Sequence, residues 1–273
     1  MKLSFSTLPC KEWTIEKTLE ICSTNNIDAI ELRLGLNDWS DVNMSDEKIE
    51  YIKELLKKYD VKISDFGTQV TVKEYSKEQL DNLVAAAKLG QKFGVLGLRI
   101  MLGIYRVKRS DDLPESDYQG IIKWLKEACA IISEYNCEIW LETHNDFATC
   151  KILKQVIDEV NMENCKILWD IMHPLEVGES IDESIKYVEG HLAHVHIKDG
   201  MPWEDENLVN WKYTHTGEGI IPIKEIVSKL LDKGYDGYFS LEWESEWRAE
   251  IRGPEYTGEI VIPKYASYWD IAK

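Results

Sequence analysis

The decapeptide HLAHVHIKDG, residues 191–200, carries half of the six histidines in this chain. His191, His194 and His196 fall within it, and Lys198 and Asp199 follow directly. Three other short apolar runs end in a carboxylate: EIWLE in Glu142, KILWD in Asp170 and YFSLE in Glu242. A charge at the end of an apolar run is costly unless it is paired or bound to a cation. Three carboxylates and one imidazole (His196), with room for water, suit one divalent cation: Mn²⁺, Mg²⁺, Co²⁺ or Zn²⁺. The oxygen-rich set tilts the expectation to Mn²⁺. Each residue also has a plainer role by itself: Glu142 or Glu242 in a salt bridge, Asp170 as a helix cap. His194 and His196 alternate through Val195, so both point to one side of a strand. One can ligate while the other is a core histidine. His191 is expected at the surface, just before the strand.

These residues need a frame that brings them to one level. Short runs rich in Ile, Leu or Val predict eight strands at 3–6, 29–33, 62–66, 95–100, 138–142, 166–170, 193–197 and 238–242. Between them lie stretches of helical period, such as DEKIEYIKELLKKYD, with Ile49, Ile52, Leu55 and Leu56 on one face. Helix ends are marked by Asn25-Asn26, Gly90, Gly94 and Gly234. Alternating strands and helices predict parallel βαβ units, and eight of them close into a (β/α)₈ TIM barrel. An open doubly wound sheet would need a glycine-rich turn after the first strand. That turn reads TLPCKEW, so the barrel is favoured. No linker or low-complexity block divides residues 1–273, which predicts a single domain. In such a barrel, chemistry sits at the C-terminal strand ends. Glu142, Asp170, His196 and Glu242 fall there on strands five to eight.

The composition is that of a globular chain, with 44% hydrophobic and 30% charged residues. A net charge of −17 argues against nucleic acid as a partner. No apolar run approaches a membrane span, and MKLSFSTLPC lacks the apolar core of a signal peptide. The six cysteines show no CxxC and read as buried free thiols in a reducing cytoplasm.

WLETHNDFAT, LWDIMHP, HVHIKDG and YFSLEWESEW together resemble the sugar isomerase/epimerase superfamily with the xylose isomerase-like TIM barrel. That superfamily includes inosose dehydratases and isomerases, ketose 3-epimerases and endonuclease IV-type enzymes. The resemblance covers nearly the whole chain, and it discriminates poorly among substrates. It implies a metal set of Glu142, Asp170, His196 and Glu242, with His173 and Lys198 near substrate oxygens. Lys198 otherwise forms a salt bridge with Asp199 or a neighbouring glutamate. The implied reaction removes a proton beside a carbonyl, through an enediolate, with Glu142 and Glu242 as the acid–base pair. A lyase acting on an inosose or a 3-keto-glycoside is the alternative, because elimination begins with the same proton abstraction. An endonuclease IV-type cluster needs further histidines, which GTQV (67–70) and RIMLG (99–103) lack.

The expected partner is a small sugar or polyol. Arg33, Arg99, His144, Trp203 and Trp243 are candidates to bind it; Glu31 and Gln69 are further candidates to orient its hydroxyls, and Trp13, Trp211 and Trp247 are further candidates for cavity walls. TGEGIIP (216–222) holds glycines that can present N–H groups to a phosphate, but Glu218 and the acidic WEDEN favour a neutral sugar. The polar segment 247–258 predicts a long loop over the barrel mouth, a lid or a dimer contact. A homo-oligomer is common among such proteins.

Overall fold

The computed structural model describes residues 1–108 and 115–270. Its strands are β1 (Lys2–Ser6), β2 (Ala29–Arg33), β3 (Lys62–Val72), β4 (Gly97–Leu102), β5 (Glu138–Glu142), β6 (Cys165–Asp170), β7 (Leu192–Ile197), β8 (Asp199–Met201), β9 (Lys212–Thr214) and β10 (Tyr238–Leu241). Eight of them form a closed parallel barrel in the order β1-β10-β7-β6-β5-β4-β3-β2, while β8 and β9 make a separate antiparallel hairpin. The helices are α1 (Ile15–Thr24), α2 (Asp46–Tyr59), α3 (Lys77–Phe93), α4 (Tyr118–Ser133), α5 (Cys150–Val160), α6 (His173–Glu176), α7 (Ile181–Val188), α8 (Ile223–Asp232) and α9 (Gly258–Asp270). No described helix is long and apolar enough to cross a membrane.

Packing groups the chain into two compact units. The first comprises residues 1–67, 196–201 and 212–273. In it β1 lies between β10 and β2, with Phe5 in register with Leu241 and Ile30. Thr14 and Ser45 cap α1 and α2 by accepting from the N–H three residues on. These caps satisfy donors that the first helical turn leaves over. Helix α2 ends in a left-handed Asp60.

The second unit comprises residues 68–195 and 202–211. Here β5 pairs with β4 and β6, and Leu98, Ile139, Leu141 and Ile167 are all buried. Thr149 caps α5, and Ser180 and Glu183 form a capping box on α7. Helix α5 turns Leu153, Val156, Ile157 and Val160 inward, the i, i+3, i+4, i+7 stripe of an amphipathic helix.

Two expectations need correction. Gly90 does not end α3, which runs on to Phe93 and stops at the left-handed Gly94. Gly90 is there for close packing: a Cβ would stand 3.2 Å from Cys137 Sγ. Strand β3 does not stop at residue 66 but continues through the β-branched run to Val72. The segment 247–258 is also more ordered than a bare loop. It holds two 3₁₀ turns, Ala249–Ile251 and Pro254–Tyr256, and Arg248 and Ile251 are buried.

Candidate metal centre

In the first unit the chemistry gathers around His196. The residue is completely buried near the end of β7. Its Nε2 lies 2.7 Å from Glu31 Oε2, and its Nδ1 lies 3.2 Å from Glu242 Oε2. Glu31 sits within β2 and also accepts from the Ser240 hydroxyl at 3.4 Å. Glu242 follows β10 directly and anchors there through its backbone N–H on Ile197 O.

Lys198 is also buried. Its ammonium stands 2.6 Å from Glu242 Oε2 and 3.3 Å from Glu244 Oε1, so its partners are these glutamates rather than Asp199. Glu244 is held in turn by the Tyr213 hydroxyl at 2.8 Å and by Arg248 Nε at 3.4 Å. The Arg248 guanidinium lies over the Tyr213 ring, 4.3 Å from its centroid. Two buried cations are thereby locked among carboxylates, each one offsetting the desolvation of the other groups.

In the second unit Glu142 closes β5 and Asp170 closes β6. Arg99, 3% exposed, brings its Nε to 3.4 Å from Glu142 Oε2. The Thr143 hydroxyl donates to Asp170 O and accepts from Asp170 N, tying the two strand ends together. Asp170 Oδ1 accepts from Met172 N at 2.9 Å, while Oδ2 lies 3.5 Å from His173 Nε2. His173 Nδ1 lies 2.7 Å from Glu176 Oε2, and the other Glu176 oxygen accepts from Trp211 N. The His144 ring meets His173 edge-on at 4.7 Å and stacks with Tyr105 at 5.8 Å. His194 stacks on Trp140 at 5.5 Å.

Glu142, Asp170, His196 and Glu242 are all buried, and each offers a ligand atom within 4.8 Å of the other three. A cation bound at about 2.1 Å by each donor needs donor atoms within about 4 Å of one another, close to this spacing. Three buried carboxylates at such a distance repel unless positive charge lies among them. The donor set therefore fits a divalent metal ion.

The remaining candidates have other partners. Arg33 is half-buried and donates to Gly67 O. Trp243 is buried, stacks on His215 at 5.6 Å and donates to Tyr256 O. Trp203 is half-buried after β8, and Trp247 is 56% exposed. The loop TGEGIIP does not keep its N–H groups for a ligand. The Asp199 carboxylate accepts from Gly200, Gly217, Gly219 and Ile221 N–H. Burial still pushes the Asp199 carboxyl above its ordinary range, against the lowering effect of these bonds.

Sequence reasoning did not anticipate Glu176, Glu244, Tyr213 or Arg248; the three-residue step from His173 to Glu176 and the four-residue step from Glu244 to Arg248 were signals available in the chain, whereas Tyr213 lies 31 residues from Glu244. Glu31 carried a legible signal, a carboxylate inside the apolar run AIELR, but was read only as a group that orients hydroxyls.

Comparison with known proteins agrees with this architecture. Residues 19–260 match the family described as "Xylose isomerase-like TIM barrel". The uncharacterized protein MJ1311 of Methanocaldococcus jannaschii is 25% identical over 259 residues, covering 89% of this chain and 83% of that protein. The probable 3-DHS dehydratase AsbF of Bacillus anthracis superposes with a TM-score of 0.77 at 18% identity, covering 100% of both chains. D-Psicose 3-epimerase of Clostridium cellulolyticum H10 superposes with a TM-score of 0.76 at 17% identity, covering 100% of this chain and 98% of that one.

Proposed function

The chain belongs to the xylose isomerase-like TIM barrel family, and we propose that it is a divalent-metal-dependent isomerase or epimerase of a keto-sugar or polyol. The observation that carries this reading is the buried cluster of Glu142, Asp170, His196 and Glu242. These four would hold the cation, Mn²⁺ by the hardness of the oxygens, with Mg²⁺, Co²⁺ and Zn²⁺ also compatible. Bound there, a divalent cation supplies Lewis acidity towards a carbonyl and an adjacent hydroxyl.

The protein's own groups move the proton. Glu142 and Glu242 act as the acid–base pair, one accepting the proton from the carbon beside the carbonyl and the other returning one. Each carries a cationic partner, Arg99 on Glu142 and Lys198 on Glu242, which stabilises its carboxylate form. The Lys198 ammonium, beside Glu242, would also donate to a substrate oxygen. His173, oriented by Glu176, offers a further proton carrier next to Asp170. The N–H groups of the 216–222 loop are engaged by Asp199, which favours a neutral sugar over a sugar phosphate.

The His173–Glu176 pair supports a second reading. A lyase acting on an inosose or 3-keto-glycoside needs an acid for its leaving group as well as a base, and His173 would supply that acid. The likeness to a probable dehydratase points the same way.

Deuterium incorporation tests both readings. Keto-sugars, inososes and 3-keto-glycosides are incubated in D₂O with Mn²⁺ or with EDTA and followed by proton NMR. Metal-dependent exchange beside the carbonyl, with an epimer or isomer formed, is the expected result. An eliminated product selects the lyase. A protein that binds no metal and exchanges no proton overturns both.

A further inference from the structure

Building on that metal reading, we propose that Glu31 is a positioning residue that holds His196 in the tautomer able to bind the cation. A neutral imidazole has one N–H and one lone pair, and an ionised carboxylate can only accept. His196 presents its two nitrogens to two different carboxylates, Nε2 to Glu31 at 2.7 Å and Nδ1 to Glu242 at 3.2 Å. Only one of them can receive the N–H. Glu31 has the shorter contact, and it is a hydrogen bond, whereas the Glu242 oxygen is ion-paired with the Lys198 ammonium at 2.6 Å. The proton therefore sits on Nε2 and the Nδ1 lone pair faces Glu242, one of the four candidate ligands. A carboxylate on the far nitrogen also makes the imidazole a better donor to a metal.

The position of Glu31 agrees with such a role. The residue is 0% exposed within β2, between Ile30 and Leu32, where a purely structural strand would be apolar. Its Oε2 also receives the Ser240 hydroxyl, so its own orientation is set. Glu31, His194 and His196 are spaced closely enough to be considered as a second cation site. The 2.7 Å approach of Nε2 to Oε2 is a hydrogen-bond length and leaves no room for an ion between them.

The test uses the full chain labelled with ¹⁵N-histidine, with the His196 signals assigned by their loss in His196→Gln. In the metal-free wild type, two-bond ¹H–¹⁵N spectra are expected to show Nε2 protonated and Nδ1 bare. Zn²⁺ is expected to shift Nδ1 and leave the Nε2 proton in place. Glu31→Gln is expected to weaken Mn²⁺ binding, read by chelator competition, by roughly 10–100-fold, and Glu31→Asp to recover part of that loss. A proton on Nδ1, metal on Nε2, two cations per chain, or unchanged affinity in a folded Glu31→Gln each overturn the proposal. If Glu31→Gln does not fold, the wild-type spectra decide. A wild type that binds no metal overturns the metal reading instead, and the metal-free tautomer still tells whether Glu31 holds the ring.

Discussion

Lys198 Nζ stands between two carboxylates, 2.6 Å from Glu242 and 3.3 Å from Glu244, so one buried ammonium links the candidate metal cluster to a residue outside it. Glu244, Tyr213 and Arg248 complete this link and reach the segment that follows β10. Replacing Lys198 with Met leaves Glu242 buried without its cation. Turnover is expected to fall by about 10²–10³, the scale of losing one oriented donor at a reacting oxygen. Stability is expected to fall by up to about 3–5 kcal/mol, as when one partner of a buried pair is removed. Lys198→Arg is not expected to rescue, because a planar fork does not replace a compact ammonium in a packed site. Steady-state kinetics and thermal melts on both variants check this.

Metal should stabilise the fold, since the four candidate ligands are assembled only in the native state. Mn²⁺ at a hundredfold excess over its Kd is expected to add about 2.7 kcal/mol, and EDTA to reverse it. Asp170→Asn is expected to abolish most of that increment and leave the metal-free melting temperature nearly unchanged. Differential scanning calorimetry with and without Mn²⁺ reads both outcomes.

Asp199 holds the 216–222 loop by accepting N–H bonds from Gly217, Gly219 and Ile221. Asp199→Ala strips several donors of their acceptor at once and is expected to cost at least about 2 kcal/mol. Asp199→Asn, which keeps one carbonyl acceptor, should cost less. Urea denaturation midpoints order the variants, and titration of the wild type with inorganic phosphate should show no binding at this loop.

His215 is buried in a stack with Trp243 and Tyr256, and burial lowers its pKa from the ordinary 6.5. Lys264 lowers it further, while Glu218 and Glu255 raise it. The unfolded chain therefore takes up a proton here at higher pH than the folded one. The contribution to stability is full above about 6.5 and is lost as pH falls through the folded value. His215→Phe is expected to flatten that part of the stability–pH curve, measured by urea unfolding from pH 7.5 downwards.

The barrel was largely legible because burial imposes strong patterns on short runs. The boundaries read for AIELR and EIWLE coincide with β2 and β5, where an apolar run ends in a charge. Two boundaries misled. Gly90 reads as a stop but is a packing contact, and the strand end read at Phe66 lies inside β3. In each case the residue's role depends on what lies opposite it, and a single sequence does not contain that.

The chain by itself determined which groups stand at the strand ends. A carboxylate closing an apolar run has few other places to go, so Glu142, Asp170 and Glu242 could be named before any coordinates. Which partner each group took depends on how the strands come together in space. Lys198 has Asp199 as its sequence neighbour, yet pairs with Glu242 and Glu244, while Asp199 turns to backbone N–H groups 18 to 22 residues further on. Glu31 and His196 are 165 residues apart and meet at 2.7 Å. Hydrogen bonds and ion pairs act over a few ångströms of space, and strand order and register set those distances.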